Sequence, residues 1–203
     1  MHPNPIFRQA SDDQNLAFAA ARGFGVLAIN AEGGPLLSHI PFRLEGREVE
    51  LHLVRSNPIA RVLGTPQQAV IAVTGAHSYV SPDWYGIEDQ VPTWNYVAVH
   101  LRGPLEKLPD ERLIPMLDRL SLHFETALSP KPAWTSAKMT PEVLSRLARM
   151  IVPCRMTVET VTGTWKLGQN KDEAVRLAAA EAVARDGLGE GLAELAELMR
   201  SVR

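Results

Sequence analysis

The segment HLVRSNPIAR, residues 52–61, concentrates the groups from which a phosphate site is made. Arg55 ends a β-type run, Asn57 is placed to cap a helix, and Pro58 stands at that helix's first position. Arg61 falls at the end of the first turn. Unpaired backbone N–H groups and the positive end of a helix favour an anion. An arginine so near that end gains nothing from the dipole unless an anion or a carboxylate compensates it. Arg55, Ser56, Asn57 and Arg61 therefore read as a phosphate cradle. The plainer alternative is a capped helix with two surface arginines in ordinary salt bridges.

A second constellation is aromatic. Residues 77–103, HSYVSPDWYGIEDQVPTWNYVAVHLRG, hold all three tyrosines and two of the four tryptophans. Such rings either stack on a flat heterocycle, with their polar tips free to hydrogen-bond, or cover the end of a barrel. Ser78, Ser81, Thr93 and Asn95 stand among them, a mixture that suits a pocket more than a core. A third constellation is TGTWKLGQNK, residues 162–171, where Lys166 is suited to an anion or a carbonyl oxygen and Gln169 to a heterocycle edge. The competing reading of that stretch is a polar strand end, with Asn170 capping the next helix and Glu173 completing a capping box.

Other chemistries find less support. His39, His52 and His100 each lie on a strand opposite an apolar face, but none has metal-ligand spacing, so hydrogen bonding at a ligand site or subunit interface is expected and a metal is not. No nucleophile-elbow motif is present. Cys154 is the single cysteine, which excludes an internal disulfide, and its apolar strand context makes it a small buried hydrophobe.

The elements that must position these groups follow from periodicity. Ser11 and Gln14 form a capping-box pattern ahead of a short helix. FGVLAIN, PLLSHIPFRL, EVELHLVR and QAVIAVTG read as strands, with Leu36, Ile40, Phe42 and Leu44 on one face of the second and Val49, Leu51 and Leu53 on one face of the third. NYVAVHLRGPLEKL is the longest strand, alternating Asn95, Val97, Val99 and Leu101 against Tyr96, Ala98, His100 and Arg102. The following helix carries a stripe of Leu113, Leu117, Leu120, Phe124 and Leu128. Thr140-Pro141 starts a helix to about Ile151, and CRMTVETVTGTWKLGQ is a last strand or hairpin. Two Ala/Leu/Glu-rich helices, separated by Gly187 and Gly189, close the chain with a Leu192, Leu195, Met199 and Val202 stripe. Strands in near-succession with tight turns favour an antiparallel barrel with peripheral helices, a mainly β, α+β arrangement. No Gly-rich dinucleotide loop follows the first strand.

The 203 residues carry 23 acidic and 21 basic side chains, a net charge of −2. That balance argues against broad nucleic-acid binding, which needs a basic face. No signal-peptide pattern and no membrane-length apolar run occurs, so a cytoplasmic protein is expected.

HIPF (39–42), HLVRSNPIAR (52–61), SYVSPDWY (78–85), VPTWNYVAVHLRG (91–103) and WKLGQNK (165–171), in this order, resemble the PaiB family over about residues 1–175. That family belongs to the FMN-binding split-barrel proteins, similar in fold to pyridoxamine-phosphate oxidases. The resemblance implies an antiparallel split barrel, a single domain over residues 1–203 with 171–203 as a C-terminal helical extension, and a homodimer with FMN between subunits. It implies a phosphate held by Arg55, Ser56, Asn57 and Arg61, and a ring or substrate bounded by Trp94, Asn95 and Tyr96. Lys166, Gln169 and Asn170 match the near-terminal signature, and His39 is a candidate for a proton donor. Gly168 and Lys171 depart from the family's usual Lys-Leu-Ser-Gln-Asn-Arg. Flavin-dependent redox chemistry on a small molecule is the function implied. The family's label as a negative transcriptional regulator supplies the alternative, by direct DNA binding or through a ligand. A heme-binding or cofactor-free barrel is a further one.

Overall fold

A computed structural model describes residues 1–202. The chain begins with α1 (Asp12–Arg22), capped as expected by Ser11, whose Oγ accepts from the Gln14 N–H at 3.1 Å. Strands β1 (Phe24–Ile29), β2 (Leu36–Pro41), β3 (Arg43–Glu45) and β4 (Glu48–Val54) follow, then the short helix α2 (Pro58–Val62). Two long strands come next, β5 (Gln67–Val80) and β6 (Thr93–Lys107). Helices α3 (Leu113–Thr126) and α4 (Pro141–Ala148) precede β7 (Ile151–Thr157) and β8 (Thr160–Lys166). The chain closes with α5 (Glu173–Asp186), β9 (Leu188–Glu190) and α6 (Leu192–Ser201). Among the described residues no helix is long and apolar enough to cross a membrane.

The strands run in the order β2-β1-β5-β6-β7-β4-β3, with β8 also on β6 and β9 also on β5. Pairings of β1 with β2 and β5, of β4 with β3 and β7, and of β6 with β7 are antiparallel. β2 and β3 stand at opposite ends of this order, yet only Phe42 separates them in sequence. One residue spans at most ~3.3–3.6 Å, so the ends meet only because the sheet curls on itself. This is the antiparallel curled half-barrel with helices that the alternating pattern predicts.

The chain forms two compact units. The first comprises residues 16–73 and 100–161. Val49, Leu51 and Leu53 point inward with Phe42, Ile71 and Leu101, all essentially buried; each such side chain contributes about 1.5–3 kcal/mol. Glu50, on the opposite face of β4, is buried beneath α3, where Arg119 binds it bidentately (Nε–Oε2 3.0 Å) and Arg43 reaches it at 3.4 Å. α3 buries Leu113, Met116 and Leu120, the i, i+3, i+7 set. The expected stripe is thus corrected: Leu117 is half-buried and Phe124 exposed, while Leu128 lies past the helix end. α4 ends at Ala148, three residues before Ile151 opens β7.

The second unit comprises residues 1–15, 74–99 and 162–202. Asn15 and Trp165 are both buried and joined by an indole N–H donated to Asn15 Oδ1 at 2.9 Å. Leu195, Ala196 and Met199 carry the inner face of α6, and the buried Arg176 of α5 donates to the Met199 carbonyl at 2.9 Å. The last two helices do not simply follow one another. Between them β9 pairs with β5, His77 opposite Glu190 and Tyr79 opposite Leu188. Gly189 permits that approach, since a Cβ there would lie 2.0 Å from the His77 carbonyl oxygen.

Candidate functional site

Alternation along β6 sends Thr93 and Asn95 to one face and Trp94 and Tyr96 to the other. The chain leaving β8 after Lys166 then turns sharply: Lys171 N–H donates to the Gly168 carbonyl at 3.0 Å. Gly168 holds φ +85°, a left-handed conformation that glycine adopts without Cβ strain. Glycine therefore suits this turn where the related pattern has serine, and the turn brings Asn170 and Lys171 beside Lys166. The result is a cavity of about 230 Å³, lined by Asn95, Lys166, Asn170 and Lys171 and flanked by His2 and Tyr85.

The cavity's electrostatics are one-sided, for no Asp or Glu among the described residues lines it. Lys166 donates to Thr93 Oγ1, and its ammonium lies 5.9 Å from the Phe7 ring centroid. Burial lowers the Lys166 pKa. Lys171 donates to Gln90 Oε1 and stands 5.0 Å over the Tyr85 ring. Burial, and then the charge of Lys166, lower the His2 pKa. His2 Nδ1 accepts from the Asn4 N–H at 3.1 Å, which leaves Nε2 carrying the proton in the neutral ring. Asn95 is 1 % exposed, and among the described residues the partner of its amide is the Met199 thioether, at 3.5 Å.

Of the residues expected at a ligand site, the structure therefore gathers Asn95, Lys166 and Asn170. Trp94, 47 % exposed, lies on the other face of β6 with Tyr96 and packs against His77 and Tyr79 (ring centroids 5.9 and 6.4 Å). Gln169 points away from the cavity: its Oε1 accepts from Leu167 N–H at 2.8 Å and its Nε2 donates to the Trp165 carbonyl. Asn170 does not cap α5; Asp172 holds the N-cap position, so Asn170 is left to the cavity. His2, Tyr85 and Lys171 complete the lining. Lys171 was legible only as a departure from the related pattern, and His2 carried no signal, its position being 160 residues and more from its neighbours Thr164 and Lys166.

The Arg55–Arg61 segment belongs to the other unit. Asn57 caps α2, its Oδ1 accepting from Ile59 N–H at 2.9 Å, while its Nδ2 donates to Ser38 Oγ at 3.1 Å. Arg55 is anchored on the carbonyls of Arg149 (3.0 Å) and Ile151 (3.1 Å) and on Asp110 (3.3 Å). Ser56 and Arg61 are exposed. As folded, Arg55 and Asn57 shape the turn, and Ser56 and Arg61 are its open polar groups.

His39 is exposed on β2 and stacks on Phe24, centroids 6.4 Å apart. Burial lowers the pKa of His52, whose Nδ1 is buried without a partner; His100 is lowered by burial and then by Arg102. Cys154 is fully buried and its thiol is pushed up to about 12 by burial, so it stays protonated and unreactive.

Comparison with known proteins follows the same lines. Residues 1–160 match the family model described as "Putative FMN-binding domain". The chain is 27% identical over 177 residues to Protease synthase and sporulation protein PAI 2 of Bacillus subtilis, covering 85% of this chain and 84% of that protein. The FAD and heme binding protein from Mycobacterium smegmatis superposes with a TM-score of 0.60 at 18% identity, over 90% of this chain and 82% of that one. The flavocytochrome Anf3 from Azotobacter vinelandii gives 0.62 at 12% identity, over 81% and 72%.

Proposed function

The chain belongs to the FMN-binding domain family, and on that footing we propose that it binds FMN and works as a homodimeric flavoprotein on a small molecule. In this reading the 203 residues act as a single split-barrel domain, and the Ser56 hydroxyl and the Arg61 guanidinium hold the flavin phosphate. Arg55 and Asn57 keep the turn in shape for them. Asn95, Lys166 and Asn170 bound the ring or the substrate. The donor chemistry supports the phosphate fit: a phosphate dianion matches a guanidinium and a hydroxyl. When bound, the flavin supplies the redox chemistry, and the protein's share is orientation and charge.

The observation that carries the reading is the Arg55–Arg61 turn, with Arg55 and Asn57 committed to its architecture and Arg61 and Ser56 facing solvent. Fluorescence quenching on titration with FMN tests it. Saturable quenching is expected, weakened about tenfold by Arg61→Ala, the loss of one charge-assisted contact of about 1.4 kcal/mol. Absence of quenching by the wild-type protein sinks the reading.

Association with a second copy is supported by the first unit's outward sheet face. Antiparallel partners share a face, so Leu37, Ala28 and Val70 form one row across β2, β1 and β5, and His39, Val26 and Ala72 the next. Leu37 is 62 % exposed and Phe24 54 %. The open face of an antiparallel sheet is normally polar, and this one is largely apolar. Direct DNA binding, the reading that the relative's sporulation role invites, gains nothing from a net charge of −2. A gel-shift assay at low salt checks it, with no shift expected.

A further inference from the structure

We propose that the cavity closed by Lys166 and Lys171 is a subsite for a small oxyanion, the carboxylate or phosphate group of a substrate, beside the flavin rather than part of its binding. The proposal rests on the flavin reading only in naming the ligand a substrate; the anion site itself stands on the geometry of the second unit.

Three observations converge. The first is charge: two ammonium groups line one cavity, among the described residues no carboxylate lines it, and each ammonium is met by a neutral oxygen and an aromatic face. Neutral acceptors and rings orient an ammonium without neutralising it, whereas half-buried cations ordinarily find an anion. The second is Asn95, 1 % exposed and lining the cavity, with only a thioether for its amide among the described residues. Sulfur is a weak acceptor, so a buried amide in that state has a polar partner still to gain. The third is size. At about 230 Å³ the cavity is smaller than the roughly 300–1,000 Å³ sites that enclose drug-sized ligands. It suits a carboxylate or phosphate with a few attached atoms, not a flavin. His2 adds an imidazole whose Nδ1 is already occupied.

The two lysines divide the work differently. Lys166 ends a strand and is fixed between Thr93 and the Phe7 ring. Lys171 sits after the Gly168 turn and pairs with Gln90 on the loop between β5 and β6. An anion bound by both ties the turn to the loop, so binding also stiffens the second unit.

The test uses the full chain, with succinate and inorganic phosphate as probes and chloride at matched ionic strength as control. Calorimetric titration and thermal melting are followed with and without saturating FMN. Saturable binding of either probe over chloride is expected, and whichever binds identifies the oxyanion. Binding should weaken at least about tenfold in Lys171→Gln and in Lys166→Gln and return in Lys171→Arg, as one charge-assisted bond predicts. If Lys166→Gln fails to fold, Lys171→Gln decides alone. No binding over chloride overturns the proposal, and so does unchanged affinity in Lys171→Gln. Mutual exclusion of probe and FMN also overturns it, because the cavity would then be the flavin's own phosphate site. Probe binding in a protein that fails to bind FMN leaves the anion site standing and removes the flavin reading instead.

Discussion

Asn15 shows how much of the site's support rests on single groups. Its Oδ1 accepts the Trp165 indole N–H, and Trp165 is the residue before Lys166. The backbone runs so close that a Cβ on Gly163 would lie 2.0 Å from Asn15 Oδ1. Asn15→Ala removes the Oδ1 that accepts this buried indole N–H, which costs about 1–3 kcal/mol. Gly163→Ala forces the Asn15 side chain aside and should cost a similar amount. Urea unfolding followed by tryptophan fluorescence measures both. A loss below about 0.5 kcal/mol in Asn15→Ala would show that the indole finds water instead. The double variant should cost less than the two singles added, since both break one bond.

Glu50 pins an element rather than a residue. It is 5 % exposed on the face of β4 beneath α3. Burial alone would raise its pKa, but hydrogen bonds and charge from Arg119, with Arg43 behind them, outweigh that and hold it below the usual carboxylate value of 4.5. A depressed folded pKa means the pair's stabilisation is complete above pH 4.5 and is lost as pH falls below it, through the folded value. Glu50→Gln should therefore cost about 1–3 kcal/mol at neutral pH, less than a fully buried pair because Arg119 is partly solvated. The gap to the wild type should close in acid. Urea midpoints from pH 7 to 3 check this, and a constant gap would exclude the ion pair as the source. The same helix shows what periodicity could and could not reveal. The alternation of β4 and β6, the Ser11 cap and the Asn57 cap were legible, because period and capping chemistry are local, whereas PLLSHIPFRL, expected as one strand, is broken at Phe42 into β2 and β3. Met116 was displaced from the expected stripe by Leu117, since two adjacent apolar residues leave the helix phase open until the sheet beneath selects one. β9 escaped because three residues between glycines have no period, and their pairing with His77 is made across more than a hundred positions. In the candidate site, Asn95 and Lys166 were legible as polar groups at strand ends. That Trp94 turns away from Asn95 follows from strand alternation. That His2 joins them does not follow from anything local.

At the scale of the whole molecule, the decisive quantity is what covers the outward face carrying Phe24, Leu37, Val26 and Val70. A stable interface buries on the order of 800 Å² per partner, and a three-stranded face with two large exposed apolar side chains is suited to contribute to it. Leu37→Glu places a charge on that face without touching the inner core, because Leu37 is 62 % exposed in the single chain. Light scattering on the eluting peak should give twice the 22.3 kDa chain mass for the wild type and one chain mass for Leu37→Glu at micromolar concentration. Monomer in both would remove the second copy as the occupant of this face. The variant also separates two ways of building the flavin site. If each chain holds FMN by itself, the monomeric variant retains the wild-type quenching curve. If residues of both copies are needed, it loses FMN while its melting temperature stays close to that of the wild type, because the substituted side chain was never part of the folded core. The second outcome is the one expected. Arg61 and Ser56 supply phosphate contacts but no group suited to the ring, and the outward face that would meet a second copy belongs to the same compact unit as their turn.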